Sequence, residues 1–236
     1  MGVNGLLPFL KKCSRRVNIR DFKGYTVAVD AYCWIHRASY SCAMDIALGN
    51  PTSQSRKMYR ERAAQCLLAG DQKAAQECFE RSIDITPGMA RAVINAARNL
   101  GIDCIIAPYE SDAQLAYLVK SGYADLVITE DSDLLLFGCK QVIFKLDLTG
   151  SGTLIAWSAG IGEKCCGIAS QEFSPANLRF MGILSGCDYF PGIPRIGLAT
   201  AAKVSVLALN QLKCSFEVIH FSFEFGSVWR SPLLYR

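Results

Sequence analysis

Histidine is scarce in this 236-residue chain, which has only two, His36 and His220. Its eleven cysteines include no CxxC pair, and the adjacent Cys165 and Cys166 lack the spacing of a zinc site. Zinc, haem and iron–sulfur chemistry therefore have few candidate ligands. Long apolar runs are missing too: the longest, 105–108 and 134–137, are far shorter than a bilayer span, so no membrane partner is expected. Charged residues make up only 19% of the chain against 51% hydrophobic, a balance that excludes disorder for most of it. The opening MGVNGLLPFLKK has no charged leader before its apolar run and no small-residue cleavage site. No secretory signal is expected, and the cysteines are expected to be free thiols in a reducing compartment. The length suits one large domain, or one and a half, with a single sizeable core.

What is present is a mild basic excess, 25 Lys and Arg against 21 Asp and Glu. That excess alone does not identify a nucleic-acid partner. Six acids fall in tight motifs: Asp30, Glu110, Asp112, Asp131, Asp133 and Asp188. Setting those six aside leaves 25 bases against 15 acids. A basic body around an acidic knot is what a metal-dependent phosphodiester enzyme needs. On charge alone, a mildly basic protein with its acids scattered over solvated faces is the better account.

The chain has a repeated grammar. YTVAVD (25–30) reads as a buried strand ending in an acid. Residues 101–122 read as strand, short loop and helix, and 123–138 repeat that order. Residues 141–147 and 153–157 read as further strands, and 90–100 as a helix closed by Gly101. The expected class is α/β, a mostly parallel central sheet flanked by helices. Residues 55–83 read as two Ala-rich helices broken near Gly70 and Asp71, superficially like one tetratricopeptide unit. The unit occurs once and cannot bury its own apolar face, so it is expected to be a helical insertion. Four regions follow: 1–54, 55–172, 173–212 and a divergent tail, 213–236, with alternating apolar and polar residues.

The acids obey a rule of position. Asp30 ends the first expected strand, Glu110 and Asp112 follow the second, and Asp131 and Asp133 follow the third. In a parallel sheet the carboxyl ends of the strands lie along one edge, where ligands bind. Asp188 adds a sixth acid from a GCDY turn. Crowded carboxylates raise one another's pKa unless cations neutralise them. Hard oxygen donors without histidine favour Mg²⁺ or Mn²⁺. Two such ions roughly 4 Å apart can clamp the attacking and leaving oxygens of an in-line phosphoryl displacement. The bland alternative is capping: Asp131 or Ser132 could cap 134–138, and Glu110 or Ser111 could cap 113–118. Three motifs at consecutive strand ends favour the metal site. Farther on, residues 192–204 read as a turn and a helix start, where backbone N–H groups can hold a phosphate. Gly192 and Gly197 would let that backbone approach closely.

MGVNGLLPFLK, VAVDAYCWIHRA, APYESDAQLAYL, ITEDSDLLLFGC and ILSGCDY with GIPRIGLATAAKV resemble, in this order, the XPG-like 5′ nuclease family. The resemblance implies a PIN-like nuclease fold with a helix–two-turn–helix DNA-binding element. It implies a 5′ to 3′ exodeoxyribonuclease on double-stranded DNA, with 5′ flap cutting as a second activity, in mismatch repair and recombination. Asp30, Glu110, Asp112, Asp131, Asp133 and Asp188 would hold two Mg²⁺ (or Mn²⁺) ions. Gly2 would lie beside them, and Tyr32 and His36 would steer the displaced base and backbone. For Tyr32 and His36, core packing of a helix is the competing reading. Ser185, Gly192 and Ile196 match positions that hold a monovalent cation bridging to a DNA phosphate. The implied partners are duplex DNA with a free 5′ end, nick or flap, and mismatch-repair proteins. The implied state is a monomer in the nucleus.

The chain departs from that pattern in three places. After NPTSQ (50–54) the family runs on for several dozen residues, through a strand ending in V-F-D-G with a further ligating Asp and through phosphate-binding Lys and Arg. Here SRKMYRER follows at once. Arg56, Lys57, Arg60 and Arg62 are then either a remnant of a basic DNA-contacting helix or a solvated face. Losing a central strand would leave backbone groups unpaired at roughly 1–3 kcal/mol each. Arg195 stands where the family usually has glycine: it is strained if φ is positive there, and a phosphate contact otherwise. The tail 213–236 matches nothing in the family. Three readings stay open: an active nuclease, a catalytically impaired DNA-binding variant, and a helical protein-interaction module built on 55–100.

Overall fold

The computed structural model describes residues 2–40, 54–83, 85–158 and 160–213. Two compact units form: one takes the chain up to Asp30 and from Ile105 onward, the other is Ala31–Cys104. The divergent tail expected over 213–236 lies outside the described residues, apart from Lys213, which ends a helix.

The first unit is built on five strands: β1 (Ser14–Asn18), β2 (Val27–Val29), β3 (Leu126–Ile128), β4 (Gln141–Phe144) and β5 (Ser151–Ala156). Their order across the sheet is β1-β5-β4-β3-β2. The parallel part is the trio β2–β3–β4, with Val27 opposite Leu126 and Val127 opposite Val142. β5 runs antiparallel to β4, and β1 antiparallel to β5. The sheet is therefore mixed, and its parallel half carries the strand ends that the acids follow. β1 is a strand that the SRRVN pattern does not announce, since only Val17 is apolar and buried.

Alternation places the core on both faces. Val127, Val142, Phe144 and Ile155 point into the larger cluster, with Leu6, Leu10, Leu178 and Met181. Leu126, Ile128, Ile143 and Leu154 point the other way, onto Val17 and Phe22. The helices of this unit are α1 (Leu6–Phe9), α6 (Ser111–Lys120), α7 (Asp133–Leu136), α8 (Pro175–Ser185) and α9 (Leu198–Lys213), and each contributes to the larger cluster. Gly182 lets α8 lie directly on α7: a Cβ there would meet Leu136 Cδ1 at 2.4 Å. Ser174 starts α8 with a reciprocal capping box to Asn177, and Pro175 occupies its first turn. The expected α/β class with flanking helices is thus observed, but the sheet is mixed rather than mostly parallel, because β1 and β5 return antiparallel beside β4.

One expected strand is not. Residues 102–107 form no strand, and Ile105 and Ile106 are 54% and 74% exposed. Within the described residues β2 is the last strand of the sheet. An apolar extended segment needs a hydrogen-bonding neighbour and a face to bury, and neither is supplied here.

The second unit is helical: α2 (Ala31–Tyr40), α3 (Gln54–Leu68), α4 (Gln72–Ser82) and α5 (Pro87–Asn99). The expected pair broken at Gly70 and Asp71 is α3 and α4. Gly70 takes φ +79°, and Asp71 caps α4 by accepting the Ala74 N–H at 3.0 Å. Their shared core is small, with Ala63, Phe79 and Ile83 buried. Thr86 and Pro87 start α5, and Gly101 follows its end at φ +72°. Among the described residues no helix is long and apolar enough to cross a membrane.

Candidate active site

Asp30 immediately follows β2, and its N–H donates to Ile128 O at 2.9 Å, extending the parallel ladder by one bond. The ladder sets Asp30 beside the end of β3. There Thr129 Oγ1 donates to Asp30 Oδ2 (3.1 Å) and accepts the Asp131 N–H (3.0 Å). Asp131 Oδ1 accepts the Asp133 N–H at 2.9 Å, and Asp133 Oδ1 accepts the Val3 N–H at 2.9 Å. A continuous hydrogen-bonded chain thus runs from β2, across the end of β3, to the N-terminal segment. Asp30, Asp131 and Asp133 are all buried.

Gly2 is pressed onto this row of acids. A Cβ at Gly2 would lie 2.3 Å from Asp131 Oδ1, 2.5 Å from Ser132 Oγ and 2.7 Å from Asp133 Oδ1. Its φ of +76° is a further barrier to any L side chain.

Asp112 sits in the first turn of α6, half-buried, with the exposed Glu110 at the N-cap. The Glu110 side chain makes no capping hydrogen bond, and neither does Ser132 at the start of α7. Capping therefore does not explain Glu110, whereas Asp131 does bond to the first turn of α7. Burial, and then the charges of Asp131, Asp30, Asp133 and Glu110, push the Asp112 carboxyl up to about 7. Asp133 is pushed up to about 6 by burial and Asp131, against the opposing Val3 N–H. Burial raises Asp131 too, and both Asp131 and Asp133 feel the exposed Asp188. All six expected acids thus belong to one electrostatically connected group. Among the described residues, no three acidic, histidine or cysteine side chains close around a common point.

Two contributors escape the sequence reading. Thr129 joins Asp30 to Asp131; its one signal is a polar residue directly after an apolar strand. Tyr189 lies against the acids, and burial followed by Glu110, Asp112, Asp133 and Asp131 pushes its phenol up to about 12. Its ring also meets Phe137 edge to face at 6.2 Å.

The turn after α8 is closed backbone on backbone. Cys187 and Phe190 bond reciprocally (2.8 and 3.1 Å) and frame Asp188 and Tyr189. Gly192 takes φ +81°, and a Cβ on it would meet Gly186 N at 2.6 Å and Ser185 C at 2.7 Å. Ile193 N–H returns to Leu184 O, Ile196 N–H bonds Ile193 O, and Gly197 O accepts from Ala201 at the start of α9. Ser185 Oγ donates to Gly182 O at 3.1 Å. Arg195 is exposed at φ +68°, so the position that suits glycine carries a residue with a Cβ. In the other unit, Tyr32 is exposed and His36 half-buried on α2, one turn apart. Arg56 and Lys57 lie on α3, where Lys57 is exposed and the Arg56 side chain is outside the described residues.

Residues 1–69 match the XPG N-terminal domain, and residues 101–188 match the XPG I-region. The chain belongs to the XPG family. Among its XPG relatives, Exonuclease 1 of Xenopus laevis is 41% identical over 250 residues, covering 89% of this chain and 34% of the frog protein. Exodeoxyribonuclease 1 of Saccharomyces cerevisiae is 32% identical, covering 86% of this chain and 35% of its own length. The chain spans about a third of the length of these relatives. Since 89% of 236 residues is about 210, a 250-position alignment leaves about 40 frog positions with no counterpart here. Solved XPG structures share the fold. The catalytic core of Rad2 in complex with DNA substrate (complex IV) has a TM-score of 0.56 at 20% identity, covering 96% of this chain and 83% of that one. Human GEN1 in complex with Holliday junction DNA has 0.54 at 21%, covering 89% and 55%.

Proposed function

We propose that this chain is the nuclease region of a divalent-metal-dependent 5′ to 3′ exodeoxyribonuclease on double-stranded DNA, with 5′ flap cutting as a second activity. The observation that carries it is the gathering of six carboxylates from four separate segments into one electrostatic group. The donor set fits Mg²⁺ or Mn²⁺: the candidate ligands are hard carboxylate oxygens, and burial together with the neighbouring acids raises the Asp112 and Asp133 carboxyls, a cost that a bound cation would offset. Asp30, Glu110, Asp112, Asp131, Asp133 and Asp188 would hold two such ions. When bound, the ions supply activation of the attacking water and neutralisation of charge on the phosphate.

The remaining residues position the substrate. Thr129 and the Val3 N–H hold three of the acids in place, and Gly2 keeps the N-terminal backbone against them. The turn carrying Ser185, Gly192, Arg195, Ile196 and Gly197 would grip a duplex phosphate, with a monovalent cation held by oxygens of Ser185, Gly192 and Ile196. Tyr32 and His36 would steer the displaced end, and Arg56 and Lys57 would neutralise backbone charge. Such contacts select DNA by shape and by its free 5′ end rather than by sequence. The role fits mismatch repair and recombination in the nucleus, with mismatch-repair proteins as partners and the chain acting as a monomer.

A second reading is favoured by β2 being the last strand among the described residues and by the unformed strand at 102–107: a family member that binds duplex ends without cutting them. One assay separates the two. The full chain is incubated in Mg²⁺ with end-labelled, 5′-recessed duplex DNA, beside Asp133→Ala. Progressive shortening by the native chain, lost in the variant, supports the nuclease. DNA that is retained on the protein yet intact after hours supports the second reading.

A further inference from the structure

Cys13 and Cys165 are used by none of the site chemistry, yet their sulfurs lie 3.0 Å apart. That is inside ordinary sulfur–sulfur contact and about 1 Å longer than a disulfide bond. The two residues are 152 positions apart in sequence, so the fold alone brings them together.

Fixed backbone holds both sides. Cys13 ends a short 3₁₀ turn, Leu10–Cys13, anchored by the fully buried Leu10. The next residue, Ser14, begins β1 opposite Ile155 of β5. Cys165 sits in a π-helical turn, Gly162–Cys166. Gly162 seats that turn against Phe173, where a Cβ would stand 2.5 Å from Phe173 Cβ, and Gly167 closes it at φ +65°. Cys166 is the third thiol of the group, half-buried like the other two.

We propose that Cys13 and Cys165 form an oxidisable pair that takes hydrogen peroxide and closes to an intramolecular disulfide, tying the N-terminal segment to the Gly162–Cys166 turn. In the first step the Cys13 sulfur attacks the O–O bond. An S–O bond forms as the O–O bond breaks, and the leaving hydroxide takes the Cys13 thiol proton and departs as water. In the second step the Cys165 sulfur attacks the Cys13 sulfenic acid. The S–S bond forms, the S–O bond breaks, and the departing hydroxide takes the Cys165 proton. Two thiols lose two electrons in all, and the peroxide becomes two waters.

Burial first, then the hydrogen bond shared with Cys13 and the proximity of that thiol, hold the Cys165 thiol well above the ordinary thiol range. Its proton is therefore retained until the second step. The low thiolate fraction slows attack, and the fixed 3.0 Å approach offsets this by raising the effective concentration of the partner. The bridge would pin the segment that seats Gly2 and Val3 on the acids.

The test exposes the full native chain to stoichiometric hydrogen peroxide. Non-reducing proteolysis and mass spectrometry follow, beside Cys13→Ser, Cys165→Ser and Cys166→Ser. The expected result is one joined peptide pair carrying Cys13 and Cys165, 2 Da lighter than the two separate peptides. It should persist in Cys166→Ser, vanish in the other two variants and reverse with dithiothreitol. The oxidised native chain should also unfold several degrees higher than the reduced chain. Joining of Cys13 to Cys166, a pattern of intermolecular bridges, or peroxide leaving both peptides separate would overturn the proposal. The native-chain measurement decides the matter even where a serine variant fails to fold.

Discussion

Two stretches of this chain are written almost alike. DCIIAPYESD and DLVITEDSD each lead from an acid through a short apolar run to a cluster of acids and a helix. Their fates differ completely. Leu126–Ile128 is a strand buried on both faces and bonded on both edges, and its acids are locked by Thr129 and Val3. Residues 102–107 form no strand, with Ile105 and Ile106 more than half exposed, and Glu110 makes no capping bond. The difference is not in propensity. β3 lies between two neighbours, while β2 has none on its outer side among the described strands. The alignment gap of about 40 positions against the frog relative accords with a neighbour being absent from this chain.

The largest effect should come from the acids at the ordered end. Asp133→Ala should lower Mg²⁺-dependent degradation of 5′-recessed duplex by more than about 100-fold, beyond the usual loss for a residue one step removed from a metal. An end-labelled exonuclease assay measures it, and equal rates would remove the metal reading. Next in size is exchange with solvent. The Val127 and Ile128 amides should be protected over those of Ile105 and Ile106 by about three orders of magnitude or more, since the latter open without global unfolding. Hydrogen exchange read by mass spectrometry checks it; similar protection would mean that 102–107 has found a partner.

Stability mutants sharpen the contrast further. Leu126→Ala should cost about 2–5 kcal/mol, while Ile106→Ala should stay within about 0.5 kcal/mol, both read by urea unfolding. The crowded acids add a pH signature. Asp112 and Asp133 have folded pKa values of about 7 and about 6, above the ordinary carboxylate value. The folded state then binds more protons than the unfolded one between about pH 4 and pH 7. Their contribution is fully present below the unfolded pKa and is lost as pH rises through the folded values. In chelator, the unfolding midpoint should fall between pH 5 and pH 7.5, and Mg²⁺ should recover part of the loss at the higher pH. The smallest effect serves as a control, a local defect that involves no missing neighbour. Arg195→Gly relieves φ +68° and should stabilise by up to about 1 kcal/mol, because glycine's own unfolded-state entropy offsets part of the gain.

Much of the site was legible in the residues. The acid motifs, the α3–α4 break at Asp71 and the end of α5 at Gly101 follow from local chemistry, since caps and turn residues act on their immediate neighbours. Strand β1 was not legible, because SRRVN has one buried apolar residue and exists by pairing with β5. Thr129 and Tyr189 were missed for a related reason: their partners lie on distant segments.

Sequence alone determined which residues carry negative oxygens, where the α3–α4 break and the end of α5 fall, and that the chain is XPG-like, because each of these is encoded in short-range patterns. Tertiary structure alone decided that β2 ends the described sheet, that residues 102–107 form no strand, and that Thr129 ties Asp30 to Asp131. It also brought Cys13 to Cys165. Each of these depends on which surface meets which across many tens of residues, and a hydrogen bond or a buried face exists only once its distant partner is in place.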